Sequence, residues 1–573
     1  MSFYYRGKTL YCYFCGVNLN IHKVNKILKL GVALSLLLLV GCQSDDDAGI
    51  VHQGDTVILN EGNLEGRINY DQLGVVTTKD APQENTGGKP GNVVNGTLNG
   101  QNDLPLVQIG EVNPPVYQGT TLRATHVEVN GNFAYVSYNV EGNTYLGAID
   151  VIDISNPLNP SIVMEAIFPD TDISAIKYYQ NSLYLAGASP TINNNDTNPA
   201  ILIEMELANG VPTQNINLMD ISGYVATDIM VSSDGIFAVS GDNGVVAKYN
   251  LSNNQLEDSA PLNDLRALGQ YNNKIVVLSG TDGIHIYNSN NLNPSNDFPT
   301  SQDVAASKRT IDFYNNNVLV AEGPAGVGIY NINNGNKQNT IAVPTVDPSE
   351  GIDLSEVVAN AVSVESNHIF VADGAAGLSV HTIGSGISDI STIGTLDLEG
   401  SANYVKSANN YIFVADGKGG LKIIQQVTTS QIACNTFPTY TGGYWLNVNS
   451  NDNQAYSGSA TLMGINVNNN SSLTFCGSLA VNKGINVNSG GTFTVKGTLA
   501  QGTTSKPNNS LNVNNNAVLQ IEGSLVVYGN MILNNGATLE FLGNNSSITV
   551  YGNVVKNGNV TITGTYTDTF NSL

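Results

Sequence analysis

Of 573 residues, 59 are glycine and only 12% are charged, while asparagine recurs in short runs, so turn chemistry is closely spaced and helix-favouring stretches are few. The formal net charge of −24 gives a surface that repels nucleic acid and anionic headgroups. The chain reads as all-β and is too long for one core, so two or three domains are expected.

Lys23, Lys26 and Lys29 precede an apolar run from Leu30 to Val40 that ends at Leu39-Val40-Gly41-Cys42. The run is too short to span a bilayer, and its charge, length and small residue before the cut are those of a secretory signal. The tetrapeptide resembles the lipobox of bacterial lipoproteins. That resemblance implies cleavage before Cys42, a diacylglycerol on its thiol and an N-acyl chain such as palmitate, so that more than one chain anchors the protein to a membrane. Residues 1–41 hold five basic and no acidic groups, so removing them takes the charge from −24 to −29.

Residues 1–22 place a Cys12-x-x-Cys15 pair ahead of the basic segment, which points to a misassigned start codon rather than a metal or redox site. Gln43-Ser44-Asp45-Asp46-Asp47 resembles the acidic signal that sends some lipoproteins to the outer face of the outer membrane; a plain solvated linker is the alternative. Residues 42–103 read as an acidic, polar tether with one weak strand, Thr56 to Asn60.

A repeated unit follows. Asn367 opens NHIFVADGAAGLSVH and Asn410 opens NYIFVADGKGGLKII, with looser copies from Asn132, Asn181, Gly235, Asn273 and Asn317. Each of the seven is a strand, a glycine turn and a second strand, at intervals of about 40 to 53 residues, which leaves room for four strands per copy. That is the spacing of propeller blades. Ala148 to Pro160 (AIDVIDISNPLNP) resembles the LVIVD repeat, as do the two Val-Ala-Asp-Gly segments. The resemblance spans roughly 104–427 and implies a β-propeller of surface or secreted proteins without assigned chemistry. The segment Leu104 to Val112 (LPLVQIGEV) is similar to Ile390 to Leu398 (ISTIGTLDL), and before the first copy it could complete the last blade and remove an exposed sheet edge.

From 431 to 573 a shorter repeat takes over, at Gly464 (GINVNNNSSLTFCGSLAV), Gly484 (GINVNSGGTFTVKGTL), Ser510 (SLNVNNNAVLQIEGSLVV), Asn530 and Asn553. Coils of about 20 residues with Asn or Gly corners predict a parallel β-helix whose asparagines can ladder from coil to coil; a β-sandwich is the alternative. Cys434 and Cys476 remain after the signal, and in an oxidising compartment a disulfide between them would contribute roughly 4 kcal/mol; two buried thiols are the other reading. Trp445, Tyr440 and Tyr444 form an aromatic cluster suited to packing at the domain junction or to stacking on a sugar.

Motifs for hydrolase, zinc, phosphate-loop or EF-hand chemistry are missing from the sequence, and His126, His285, His368 and His381 occupy no shared repeat position, so they read as strand residues. No catalytic residue and no cofactor is expected, calcium being the one exception. If the four strands of a blade alternate, the long departures Tyr138 to Asn143, Ser189 to Pro199 and Thr345 to Glu356 emerge on one face with Glu322, Asp373 and Asp416, which share an aligned position held by Ser240 and Ser279 in copies three and four. The three carboxylates could face a cationic or metal-bridged ligand, or each could cap its own glycine turn.

Three function classes follow. The first is a surface-displayed, lipid-anchored binding or adhesion module for a protein or glycan, without nucleic-acid partners. The others are a scaffold of an envelope complex, and an enzyme using the propeller funnel, for which no nucleophile with its base is visible.

Overall fold

A computed structural model describes residues 57–62, 64–69, 74–76, 106–155, 160–190, 198–301, 307–346, 351–398, 400–427, 436–502 and 509–573. It also describes three short strands, Tyr4–Arg6, Thr9–Tyr11 and Asn18–Asn20, which form a small antiparallel sheet of their own. Cys42 and Cys434 lie outside the described residues. Among the described residues no helix is long and apolar enough to cross a membrane.

The protein is all-β: seven four-stranded antiparallel blades close a propeller, and a parallel β-solenoid of about six turns follows. Blade 1 runs through Arg123–Asn130, Phe133–Asn139, Gly147–Asp153 and Ser161–Phe168. Blades 2 to 6 span 172–220, 226–262, 265–298, 311–341 and 357–396. The second strand of each blade is apolar on both faces, as in Ile369, Phe370, Val371 and Ala372, because it is packed between neighbouring blades as well as paired within its own sheet.

Blade 7 takes three strands from 404–426 and its fourth from Leu106–Val112, which pairs antiparallel with Leu421–Gln426. The expected closure is therefore present. Within it Lys422 and Glu111, register partners, form a buried ion pair at 2.8 Å. Burying two charges is costly unless they meet, so a slipped register would leave both uncompensated.

The stretch expected to be a free tether is only partly so. Ile58–Asn60 adds a fifth strand to blade 1, while Ile68–Asn69 and Gly74–Val76 pair with Leu106–Val112 on the outside of blade 7. Between them Arg67 reaches Asp150 (2.5 and 2.9 Å) and Glu165 (2.7 Å) on blade 1 and donates to the carbonyl of Asn113, in the connection from blade 7 to blade 1. The segment is a strap across the closure seam.

In the solenoid, two parallel sheets stack in register, from Trp445–Val448 to Val554–Lys556 and from Asn453–Leu462 to Thr561–Thr563. The sandwich alternative is thereby excluded, and the first turn, Trp445 to Leu462, precedes the five coils read from the sequence. Leu473, Phe493, Leu519 and Leu539 stack inward, as do Val467, Val487, Val513 and Leu533. Each long strand bends at a glycine, and these glycines stack: Gly458, Gly477, Gly497 and Gly523, with φ between 109° and 132°. A Cβ on Gly497 would stand 2.1 Å from the carbonyl oxygen of Gly477, so the row needs glycine for space as well as for φ. The expected amide ladders are present. One runs Asn447, Asn466, Asn486, Asn512 and a second Asn468, Asn488, Asn514, Asn534, Asn557, with links of 2.7 to 3.2 Å.

Candidate functional site

Glu322, Asp373 and Asp416 do share one structural position, the start of the turn between the second and third strands of blades 5, 6 and 7, and all three are buried. Each donates its backbone N–H to the end of its own turn, at Gly326, Gly377 and Gly420. The side chain of Glu322 accepts from Ser301 N (3.0 Å) and Tyr330 Oη (2.6 Å) and pairs with Lys337 (3.2 Å); that of Asp416 accepts from Gly400 N (3.0 Å). Ser301 and Gly400 belong to the connections that enter those blades. In blades 3 and 4 the aligned serines make the complementary bond, Ser240 donating to the carbonyl of Ser222 and Ser279 to that of Asn263. In blades 3, 4, 5 and 7 this position thus ties the turn to the incoming chain, by a carboxylate that accepts or a hydroxyl that donates. For Glu322 and Asp416 this geometry is that of a turn cap.

Asp373 enters a longer chain. Ser379 donates to its Oδ2 (2.5 Å), His381 Nε2 lies 2.9 Å from Ser379 Oγ, and Thr392 Oγ1 lies 3.1 Å from His381 Nδ1. With Asp373 ionised, the protons run one way: the Thr392 hydroxyl to the imidazole, the imidazole N–H to Ser379, and the Ser379 hydroxyl to the carboxylate. Here the serine gives its proton to a carboxylate while the histidine donates, the reverse of an activated nucleophile. Burial pushes Asp373 up to about 7 and His381 down to about 4. Among the described residues no three His, Cys, Asp or Glu side chains gather into a set that could hold a metal ion.

The first strands of the blades neighbour one another around the central channel. In blades 1 to 4 each carries a bulge, at Thr125, Ser174, Thr227 and Arg266, and in blades 1 and 3 the bulged threonine reaches the next blade. Thr125 Oγ1 donates to Ile173 O (3.3 Å), Thr227 Oγ1 to Leu265 O (3.0 Å), Asn360 Nδ2 to Ala402 O (3.1 Å) and Asn403 Nδ2 to Ala124 O (3.1 Å). Asp228 and Asp312 accept from Leu268 N (3.0 Å) and Val364 N (2.7 Å), again one blade on. Lys308, in the segment entering blade 5, crosses the channel and donates to Thr125 O (2.7 Å) and Ser174 O (2.8 Å) on blades 1 and 2. Its ammonium stands 5.2 Å from the ring centroid of Tyr404, on which His126 stacks at 3.8 Å.

All four propeller histidines lie on strands as expected, but His126 faces the channel, which its sequence position alone does not reveal. Lys308 and Tyr404 were equally invisible as channel residues. The signal that could have marked them is the polar residue breaking the apolar pattern of each first strand. The aromatic cluster divides: Tyr440 packs edge-on to Tyr456 inside the solenoid, while Trp445 is 48% exposed, its ring against Gly464. Cys476 is disulfide-bonded, and every other cysteine lies outside the described residues.

The turns between second and third strands and the connections between blades emerge on one face. Three large apolar side chains stand out there, Val116 (62% exposed) between blades 7 and 1, Tyr224 (59%) between blades 2 and 3, and Leu354 (68%) between blades 5 and 6. Leu354 opens a short 3-10 helix capped by Asp353, whose carboxylate accepts from Ser355 N.

Two segments, residues 123–166 and 399–425, match the LVIVD repeat. They are blade 1 and the three C-terminal strands of blade 7, the two blades that meet at the closure seam. No curated protein matches the chain. Similar solved structures include the computationally designed Ika8 protein (12% identity, TM-score 0.36, 55% of this chain and 98% of that one) and the WD40 β-propeller domain of Doa1 (11%, 0.40, 55% and 96%). The Neurospora crassa Pan2 WD40 domain is another (10%, 0.42, 57% and 96%).

Proposed function

We propose that the chain is a lipid-anchored lipoprotein of the outer membrane, displayed at the cell surface, whose LVIVD-repeat propeller is a non-catalytic binding module for a protein or glycan. The observation that carries the binding role is the set of exposed Val116, Tyr224 and Leu354 on the loop-bearing face. These apolar side chains, on connections of different blades, leave most of their surface in water, and a partner laid across that face would desolvate them. Anchoring rests on the Leu39-Val40-Gly41-Cys42 sequence and display on Asp45 to Asp47. The reading includes no cofactor, no reaction and no nucleic acid.

Affinity capture from intact cells with the mature chain, beside a variant carrying Val116→Ser, Tyr224→Ser and Leu354→Ser, tests the face. These surface changes should move stability by less than about 1 kcal/mol and abolish capture; equal capture by both proteins would exclude this face. Wild-type protein should partition into detergent and Cys42→Ala should not, and a detergent-indifferent wild type would end the lipoprotein reading. A glycan array distinguishes the two partner classes.

A further inference from the structure

The opening strand of the solenoid, Trp445–Val448, alternates its side chains: Trp445 and Asn447 face solvent, while Leu446 and Val448 enter the core. In-register stacking repeats that alternation on the following coils. Two columns therefore run along the axis on the outer face. One holds Trp445, Gly464 and Gly484, and the other Asn447, Asn466 and Asn486.

Glycine decides how the indole lies. A Cβ on Gly464 would stand 2.2 Å from Cζ3 of Trp445 and 2.8 Å from Cε3 and Cη2, so the six-membered ring lies over bare backbone one coil on. One face of the ring is against the protein and the other is left to water, the residue being 48% exposed. Beyond the ring the column is open, since a Cβ on Gly484 would meet only the Ser510 carbonyl oxygen, at 3.5 Å. The result is an aromatic shelf with a trough beside it.

A rail of amides borders the trough. Asn466 donates one N–H to Asn447 Oδ1 (2.7 Å) and accepts one from Asn486 (3.0 Å), which in turn accepts from Asn512 (2.9 Å). A primary amide has two N–H donors and two lone pairs, so Asn466 and Asn486 each keep one of each, on side chains that are only partly buried. A hydroxyl both donates and accepts, and it matches such an amide better than a carboxylate or an ammonium ion does. None of the residues in the two columns is ionisable, in a chain whose net charge of −24 repels phosphate-bearing ligands. The face therefore favours a neutral, polyhydroxylated molecule with an apolar side to lay on the indole, which is the chemistry of a pyranose ring. Coils repeat at about 4.8 Å, close to the length of one sugar in a flat, extended glycan.

We propose that this face of the solenoid binds a flat, neutral glycan of the cellulose or chitin type, laid along the solenoid axis with one pyranose ring on Trp445, its neighbour over Gly484 and their hydroxyls on Asn466 and Asn486. The site is separate from the loop-bearing face of the propeller and is tested apart from it.

Trp445 is the only tryptophan of the chain, so its emission reports on this site alone. Titration of the mature chain with the hexasaccharides of cellulose and of chitin should shift that emission saturably with at least one of them. Calorimetry with the same sugar should show binding weakened at least about tenfold by Trp445→Ala and by Gly484→Val. The second change fills the trough and leaves the indole in place. Its Cβ makes only an ordinary contact, so it should melt with the wild type even if Trp445→Ala loosens the first coil. The combined Val116→Ser, Tyr224→Ser, Leu354→Ser variant should bind the sugar as the wild type does. No saturable shift with either hexasaccharide, unchanged affinity in Trp445→Ala or Gly484→Val, or loss of sugar binding in the loop-face variant alone would overturn the proposal.

Discussion

Arg67 and Asp150 are 83 residues apart in sequence and form a two-pronged ion pair, with bonds of 2.5 and 2.9 Å, across the seam where the propeller ring closes. Asp150 is wholly buried, and it sits in the strand that carries the LVIVD-like sequence. Burial raises its pKa and Arg67 opposes that rise, so the guanidinium is what makes an ionised carboxylate tolerable there. Replacing Arg67 by alanine strands that charge and should cost about 3 to 5 kcal/mol. Urea unfolding of the mature chain measures this, and a loss below about 1 kcal/mol would show that the strap contributes little to closure.

Asp373 supplies a pH dependence of known sign. Its pKa is raised from 3.8 to about 7 by burial, so the folded chain holds this proton more tightly than the unfolded one. The stabilisation is fully present below about pH 4 and is lost as pH rises through 7. Asp373→Asn cannot ionise, so its stability relative to wild type should climb between pH 4 and 8. Unfolding curves at a series of pH values would show this; parallel wild-type and variant profiles would mean that Asp373 titrates alike folded and unfolded.

Turn capping makes a separate forecast for the carboxylate position. The combined Glu322→Gln, Asp373→Asn, Asp416→Asn variant should lose about 1 kcal/mol per altered hydrogen-bonded cap at pH 8, less whatever Asp373→Asn returns, while partner capture stays at the wild-type level. Calorimetry with calcium should give only heats of dilution. Saturable calcium binding that the triple variant abolishes would favour the ligand-binding alternative.

The glycine row of the solenoid is sensitive to a single methyl group. Gly497→Ala places a Cβ against the Gly477 carbonyl at φ 132° and should destabilise the solenoid by at least about 2 kcal/mol. Limited proteolysis followed by mass spectrometry should then show new cuts within 445–573 and none within the blades. A cleavage pattern identical to wild type would mean that the strands shift to admit the methyl group at little cost.

What the sequence makes legible here is whatever repeats. Leu104 to Val112 could be placed as a closing strand because it copies an outer strand of a later unit, and the Asn-rich coils announced both their corners and their amide ladders. The first solenoid turn escaped because Tyr456 and Ala460 replace the fully apolar inward pattern of later coils. The aligned carboxylates were visible, but Glu322 and Asp416 are held by backbone N–H groups of the preceding connections, which no side-chain alignment shows. Arg67 and Lys308 were illegible for a related reason. Each occurs once, outside any periodic pattern, and finds its partners across the ring.

The order of the strap along the chain has a mechanical consequence. A pull from the N-terminal side reaches Ile58–Asn60 on blade 1 first, then the Arg67 clamp and Ile68–Asn69, and only afterwards Leu106–Val112, the strand that completes the ring. Load entering from that end is therefore spread over blade 1 and the outer edge of blade 7 before any of it reaches the closing strand. The strap works as a strain relief, like the knot that takes the tension off an electrical joint.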